Sequence, residues 1–598
     1  MPRKKKIIEN AAEFVPSKYQ SAIFDFVQHG QGNAIIEAVA GSGKSTTAIK
    51  CLDYINCNEK VLLTAFNNDI VKELKSKVGK RKNIAINTIH SVGYGILLSN
   101  YYNVIDKEPQ KNKYTKYIRQ NIYTLSNDYY DQLDKKNKEK YINNIIKLVD
   151  LGRCYMCENI DDMSFVETKY SIPLYYNEKE IALAVMEWGK SNIEYIDYTD
   201  MVWLPNVLNC KPNHSIYDWI ICDECQDLSV ADRMILFRCT KMSTRMLFFG
   251  EKYQCIYSFK GGDYRSFDEL KKIPNTISLP LSISYRCPQS IVNFVKKFNG
   301  NIEARSDAPI GSIKYNISTD EIKDGDMVLC RNNAPLFQLY CDFIKNGKTA
   351  YIRGKDIGLS LKEIIQKTKE KKLSTNLTER GVFPSLYDDL ISDIDVIMKK
   401  NGVTLDMALE YENISNLYDK IIALEEISSG LKTAEELIER LISLFSDEKK
   451  NGAQLSTIHK AKGLESNNVF ICCPSLLPSK NAKEDWEIEQ ERNLEYVAYT
   501  RAKENLSFLD ESNFKKFSMS SNEKADRIEK IKQKIFRLYG GNERCKISGL
   551  SVDAAKHILS NIQPIKPIKD NSIDLGNITQ KTNNGFLIPK RKTKKKRL

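Results

Sequence analysis

The stretch EAVAGSGKST, residues 37–46, decides how this chain is read. The residues leading into it, NAIIEAVA, are an apolar run with strand character; GSG interrupts the run, and KSTTAIKCLDYI continues with helical spacing. Strand, glycine-rich turn and helix in that order aim backbone N–H groups and a helix N-terminus at one point, the arrangement that holds a phosphate. Ala40, Gly41, Ser42, Gly43, Lys44, Ser45 and Thr46 then form the cradle, with Lys44 reaching the β- and γ-phosphates and the Ser45 hydroxyl ligating Mg²⁺. The strict pattern has Gly at position 38, where this chain has Ala38.

A nucleoside triphosphatase also needs carboxylates at the end of a neighbouring strand, one for the metal and one for the attacking water. YDWIICDECQD, residues 217–227, supplies both: an apolar run ends at Asp223, the expected Mg²⁺ partner, followed by Glu224, the expected catalytic base. An Asp-Glu pair alone is usually solvated surface. Behind a buried strand, in a chain that also carries a phosphate loop, it points to ATP or GTP hydrolysis.

At 598 residues the chain is too long for one hydrophobic core and is expected to form three or four domains. Its 42% hydrophobic and 28% charged residues are those of a globular protein, and no run approaches a membrane span of about 18 apolar residues. The fifteen cysteines lie scattered in apolar contexts such as WIICDEC and VFICCP, which fits reduced, buried thiols and an intracellular, soluble protein of cytoplasm or nucleoid. CYMC at 154–157 has no second Cys or His pair at zinc-ligand spacing. Of the net charge of +13, four cations lie in residues 1–6 and seven in PKRKTKKKRL at 589–598, leaving the body near +2. Any nucleic-acid site in the body is therefore a local groove, while the basic ends read as flexible arms, a nuclear-import signal or a solvating tail.

Further segments carry a family resemblance. VPSKYQSAI (15–23), VLLTAFNNDIVKEL (61–74), NTIHSVGYGIL (87–97), GEKYQCIYSFKGG (250–262), LSISYRCPQSI (281–291), LSTIHKAKGLESNNVFI (455–471) and EQERNLEYVAYTRAKENL (489–506) stand in the order of the motifs of superfamily 1 helicases. From about residue 15 to about residue 510 the chain resembles the UvrD/PcrA/Rep-like DNA helicases of that superfamily. The resemblance implies that Gln20 reads the adenine edge, Gln254 senses the γ-phosphate, Tyr285 stacks on the base, Arg286 meets the γ-phosphate, Glu465 joins the nucleotide site and Arg501 is an arginine finger. It further implies that Phe66, Asn67, Tyr257 and Phe259 contact single-stranded nucleic acid, and that Thr88, His90, Thr457 and His459 contact the backbone or couple it to ATP. The chain departs from the family pattern at EKYQ, at Lys260 where an Arg is usual, and at Asn493 where motif VI commonly has a second Arg.

The expected fold is α/β, two RecA-like P-loop motor domains, each with a mainly helical insertion. The first lobe is read at 1–100 and 196–284 around an insertion at 101–195; the second at 285–355 and 453–515 around a short insertion at 356–452; a helical segment follows at 516–561 and a flexible basic tail at 562–598. Two arginines in the second half stabilise transition-state charge only if that half closes on ATP held by the first, so hydrolysis opens and closes a cleft. The expected function is an ATP- and Mg²⁺-dependent translocase on single-stranded DNA and duplex junctions, 3′-to-5′ by resemblance, in repair, replication or recombination, with accessory replication or repair proteins as partners and no membrane. The rival readings are an RNA-directed helicase and an ATP-switched clamp that displaces no strand.

Overall fold

The computed structural model describes residues 14–514, with further stretches at 528–537 and 552–561, apart from internal breaks of which 103–108, 374–382 and 445–450 are the longest. The read tail at 562–598, the first thirteen residues, and Phe259 and Lys260 lie outside the described residues.

Six strands build the first sheet: β1 Asn33–Ala38, β2 Val61–Ala65, β3 Ile84–Thr88, β4 Trp219–Cys222, β5 Arg245–Gly250 and β6 Thr276–Leu281. They pair in the order β3-β2-β4-β5-β1-β6, every pair parallel. A parallel sheet must be covered on both faces, and its strands therefore read as unbroken apolar runs. VLLTA and WIIC are buried at every position. Alternation along β1 shows both layers: Ala34 and Ile36 pack with Ile23 and Phe24 of the helix Lys18–His29, whereas Ile35 packs with Leu62 and Ile220 towards a core that continues into the helices inserted between β3 and β4. That first helix starts where Ser17 and Gln20 cap one another, Gln20 N–H donating to Ser17 Oγ at 3.2 Å and Ser17 N–H to Gln20 Oε1 at 3.0 Å.

A short pair, β7 Ile283–Ser284 and β8 Glu303–Ala304, leads to the second sheet of β9 Ser312–Ile317, β10 Met327–Cys330, β11 Ala350–Ile352, β12 Ala453–Thr457, β13 Ser466–Ile471 and β14 Ala502–Leu509. Its order is β11-β12-β10-β13-β14-β9, again parallel throughout. The chain thus has the α/β two-lobe RecA-like fold, with helices Lys113–Leu125 to Glu178–Ser191 between β3 and β4 and helices Lys355–Thr368 to Ala434–Leu444 between β11 and β12. Val39, Ala40 and Ile256 of the first lobe share one buried cluster with Ile291, Leu494 and Tyr496 of the second. The phosphate loop is therefore seated against the other lobe's core.

The first insertion is pinned by charge as well as by packing. Asp200 is fully buried; it accepts from Lys113 Nζ at 2.9 Å, Arg153 Nη1 at 2.9 Å and Tyr114 OH at 2.6 Å. Arg153, itself without exposure, also grips Asp197 at 2.8 Å and the more exposed Asp150 at 2.7 Å, so two buried cations face two buried carboxylates and a third nearer the surface. Among the described residues no helix is long and apolar enough to cross a membrane. Replacing Asp200 by Ala leaves Lys113 and part of Arg153 uncompensated; the expected loss is about 3–5 kcal/mol, read as a lower urea midpoint with protease cleavage of the insertion helices preceding that of the two sheets.

Candidate nucleotide and strand site

Lys44 begins the helix Lys44–Cys51 at the carboxyl edge of the first sheet, with Gly43 before it in the left-handed region at φ 78°. Gly41 lies there too, at φ 70°, and a Cβ on it would meet Arg286 Cβ at 2.4 Å. Glycine is required at that point because the second lobe approaches the loop there. Ala38 is the last residue of β1, with no positive φ, so the family's glycine is not demanded by the backbone.

Around Lys44 the carboxylates converge. Its Nζ lies 3.2 Å from Glu224 Oε1 and 3.7 Å from Glu251 Oε2. Burial disfavours the ammonium, but Glu224, Glu251 and Asp223 outweigh it and raise the pKa above the usual lysine value. Burial likewise works against the Glu224 carboxylate, yet Lys44 and Lys462 hold it down at about 2. Asp223 goes the other way, to about 6, because burial and the adjacent Glu224 both penalise its charge. Glu224 takes φ 57° and ψ 39°, left-handed for a residue with a Cβ; strain of this kind, about 1–3 kcal/mol, gathers where function over-determines the backbone.

Ser45 Oγ donates to Asp223 Oδ2 at 2.9 Å, while the neighbouring Thr46 is exposed. Ser42 Oγ is buried in the turn with no hydrogen-bond partner among the described residues. A hydroxyl paired with an electrically strained carboxylate is a hard-oxygen donor set that suits Mg²⁺, and the orphaned Ser42 hydroxyl suits a phosphate oxygen. These residues fit the groups that the phosphate-loop sequence implies.

The second lobe closes the site. A cavity of about 510 Å³ is lined by Gly41, Gly43, Tyr285, Arg286, Glu465 and Lys503, among others. Arg286 Nε donates to Glu465 Oε2 at 2.7 Å, and Lys503 pairs with the same carboxylate. Tyr285 keeps 42% of its surface exposed at this opening, as a stacking ring must. Arg501 is buried and occupied within its own lobe, donating to the carbonyls of Val497 at 2.8 Å and Leu464 at 3.2 Å; burial, then repulsion from Arg286, lowers it to about 10. Gln20 is tied on both ends of its amide, its Nε2 donating to Thr47 Oγ1 at 3.0 Å, so only its remaining donor and acceptor are left for a base. Gln254 is buried and donates to Glu251 Oε2 at 2.6 Å, one side chain away from Lys44.

On the strand side, Phe66, 47% exposed, stacks on Tyr257 with centroids 5.5 Å apart and planes 13° from parallel. Asn67 and Thr88 cap helices, Asn67 Oδ1 accepting from Ile70 N–H at 2.9 Å and Thr88 Oγ1 from Ser91 N–H at 3.1 Å. His90 is part-exposed near Asp232, its Nδ1 4.0 Å from a carboxylate oxygen. Thr457 is buried at the end of β12, and the His459 carbonyl accepts the Tyr257 hydroxyl at 3.0 Å.

Three contributors escaped the sequence reading. Tyr496 of the second lobe accepts the Ala40 N–H at 3.2 Å, Glu251 supplies the third carboxylate at Lys44, and Lys462 reaches from the second lobe to Asp227. Asn493, at the family's missing arginine, donates to the Cys255 carbonyl at 3.0 Å across the lobes.

Residues 20–275 match the UvrD/REP helicase N-terminal domain, and residues 338–512 match the UvrD-like helicase C-terminal domain. The chain belongs to the UvrD/Rep helicase family. It is similar to the ATP-dependent DNA helicase Rep of Buchnera aphidicola subsp. Schizaphis graminum, 24% identical over 80% of this chain and 91% of that one. It is similar also to the ATP-dependent DNA helicase PcrA of Staphylococcus epidermidis, 23% identical over 87% of each, and to the Gabija protein GajB of Bacillus cereus, 22% identical over 81% of this chain and 94% of that one. This chain is an ATP-dependent helicase. The import signal read from its basic tail gains no support from these relatives.

In this helicase, Glu224→Gln is expected to retain ATP binding while turnover falls by about 10²–10⁴, checked by nucleotide titration beside steady-state hydrolysis; robust turnover would remove Glu224 as the base. Gly41→Ala puts a methyl group against Arg286 and strains the loop, so kcat is expected to fall by about tenfold or more while the fold persists, checked by kinetics and circular dichroism together.

Proposed function

We propose that this helicase is a DNA translocase that moves 3′-to-5′ along single strands, unwinds duplex at junctions, and serves DNA repair, replication or recombination with accessory proteins. The observation that carries the motor reading is the convergence of Lys44, Ser45, Asp223 and Glu224 of one lobe with Arg286 and Glu465 of the other at the phosphate loop, together with the stack of exposed Phe66 on part-buried Tyr257. DNA as the substrate is supported by the relatives named for DNA helicase activity. The polarity and the biological role rest on family resemblance alone.

In this reading Ser45 and Asp223 hold Mg²⁺, which would neutralise phosphate charge when bound. Lys44 leaves the carboxylates for the β- and γ-phosphates, and Glu224 takes a proton from the water that attacks the γ-phosphorus. Arg286, released from Glu465, and Arg501 meet the charge that spreads onto the γ-oxygens; an arginine in this role is worth about 10³–10⁵ in rate. Because these cations belong to the second lobe, hydrolysis removes the reason for closure, and the cleft cycles once per ATP. Phe66 and Tyr257 offer sequence-tolerant stacking of about 1–3 kcal/mol per base.

The test is strand displacement with ATP and Mg²⁺ on duplexes bearing a 3′ or a 5′ single-stranded tail, with Lys44→Ala as control and matched RNA tails alongside. Displacement from the 3′ DNA tail alone, absent in the control, is expected. Preference for RNA tails would replace the substrate, and strand-stimulated hydrolysis without displacement on either tail would make the protein an ATP-switched clamp.

A further inference from the structure

Gln20, the residue expected to read the base, spends most of its amide on the protein itself. Its Oε1 accepts the Ser17 N–H at 3.0 Å and its Nε2 donates to Thr47 Oγ1 at 3.0 Å, which leaves a nucleoside one N–H and one lone pair. The second lobe adds a strong donor to the same cavity: Arg305 lines it together with Tyr285, Arg286 and Lys503. Arg286 and Lys503 both pair with Glu465. Arg305 instead holds Asp307 at 3.3 Å, a carboxylate two residues further along that is 76% exposed. A pair so open to solvent is worth little and gives way to a better acceptor.

The backbone that carries Arg305 is held on both sides. β7 and β8 pair in parallel, Ile283 beside Glu303 and Ser284 beside Ala304, and the next bond runs from the Arg305 N–H to the Ser284 carbonyl at 3.4 Å. That register sets Arg305 beside Tyr285, one strand spacing of about 4.8 Å away. Ala304 turns to the apolar cluster that includes Ile291 and Tyr496, while Glu303 ties to Tyr19 and Lys18 of the helix Lys18–His29, which also carries Gln20. Past Arg305, the Ala308 N–H returns to its carbonyl at 3.1 Å and the Gln289 N–H donates to the Pro309 carbonyl at 2.9 Å. Gly41 and Gly43 mark the phosphate end of the cavity, and Arg305 stands beside the exposed ring of Tyr285, on a strand fastened to the helix of Gln20.

We propose that Arg305 is a nucleoside-binding residue of the ATP site: the Tyr285 ring covers one face of the base while the Arg305 guanidinium, drawn from Asp307, donates to acceptor atoms along the base edge and reaches no phosphate. Arginine offers five N–H donors and no acceptor, and a purine edge carries ring nitrogens that only accept, so the two match. The second lobe thereby supplies the donors that Gln20 lacks, and the base is read by both lobes together. The proposal rests on the phosphate loop as the triphosphate site and on Tyr285 as the stacking ring.

The experiment measures steady-state ATP hydrolysis by the full chain with Mg²⁺ and a saturating deoxythymidine oligomer, in the wild type, Arg305→Ala and Asp307→Asn, with inorganic tripolyphosphate as a competitor that has no nucleoside. Arg305→Ala is expected to raise the KM for ATP by about tenfold while kcat stays within about twofold, since a contact made equally in the ground and transition states is lost. The inhibition constant of tripolyphosphate is expected to change by less than about twofold in the same variant. Asp307→Asn, which releases the guanidinium, is expected not to raise the KM. An unchanged KM in Arg305→Ala overturns the proposal and leaves Arg305 as the partner of Asp307. A tripolyphosphate constant that rises with the KM overturns it in favour of a phosphate contact, and a fall in kcat at unchanged KM in favour of a transition-state contact. An equal rise of KM in Asp307→Asn overturns it too, because the pair would then support the turn. Competition by tripolyphosphate in the wild type leaves the phosphate-loop reading standing under any of those failures; its absence overturns both. Cooperative melting of Arg305→Ala at the wild-type midpoint separates these results from misfolding.

Discussion

Everything at the centre of this protein is arranged around a buried lysine that three carboxylates surround. Lys44 cannot leave the first lobe, because it begins the helix behind the phosphate loop, and it is buried too far to take its counter-charge from solvent. Glu224, Glu251 and Asp223 supply that charge instead. Burial and the neighbouring Glu224 raise the Asp223 pKa, while Lys44 and Lys462 overcome the burial of Glu224 and lower its pKa, within adjacent residues. Two carboxylates side by side are thereby driven to different tasks, one short of a cation and one over-supplied. Triphosphate and metal would enter a site already divided between them.

The second lobe supplies the cations that the first lobe lacks, and geometry decides how near it can come. Gly41 admits Arg286 because no side chain stands between them, and Tyr496 reaches Ala40 through its hydroxyl. Further contacts join the lobes around these two: Asn493 donates to the Cys255 carbonyl, Ser258 N–H to Gln490 Oε1 at 3.1 Å, and Trp486 Nε1 to the Lys169 carbonyl at 2.7 Å. Val39, Ala40 and Ile256 enter a cluster that otherwise lines one face of the second sheet, with Met327, Leu329, Val469 and Ile471, so the first lobe's loop packs on the second lobe's own core.

Much of this was legible in the sequence, and for a physical reason. Parallel strands buried on both faces must be apolar runs, so VLLTA and WIIC announce themselves; the loop after β1 must carry glycine where the backbone turns left-handed, so GSGK does too. Asp223 and Glu224 were readable because they end such a run. Lys462 and Tyr496 were not, since their significance is a distance between lobes, and neither was Glu251, whose approach to Lys44 within the first lobe also exists only after folding; a lysine in HKAK has no local feature to set it apart from a solvated one. Asp200 does start a helix, Asp200–Val207, but what the sequence does not show is that Lys113, Tyr114 and Arg153 from the insertion make it the anchor of a buried charge cluster. Asn67 and Thr88, assigned to the strand by resemblance, spend their side chains on helix caps, which places the helix N-termini beside the groove and offers backbone N–H groups to phosphates there.

That last arrangement bears on how a nearly neutral body grips a polyanion. Among the described residues Lys462 lies against both platform rings, and it is already committed to Asp227. Stacking on Phe66 and Tyr257 and donation from helix termini are both insensitive to base identity, and neither requires a strongly basic surface. Electrostatic attraction from the body alone is correspondingly modest, so a strand held this way is released by small movements of two aromatic rings. In the translocase reading proposed above, a motor that must let go of its track at every step gains from such a grip.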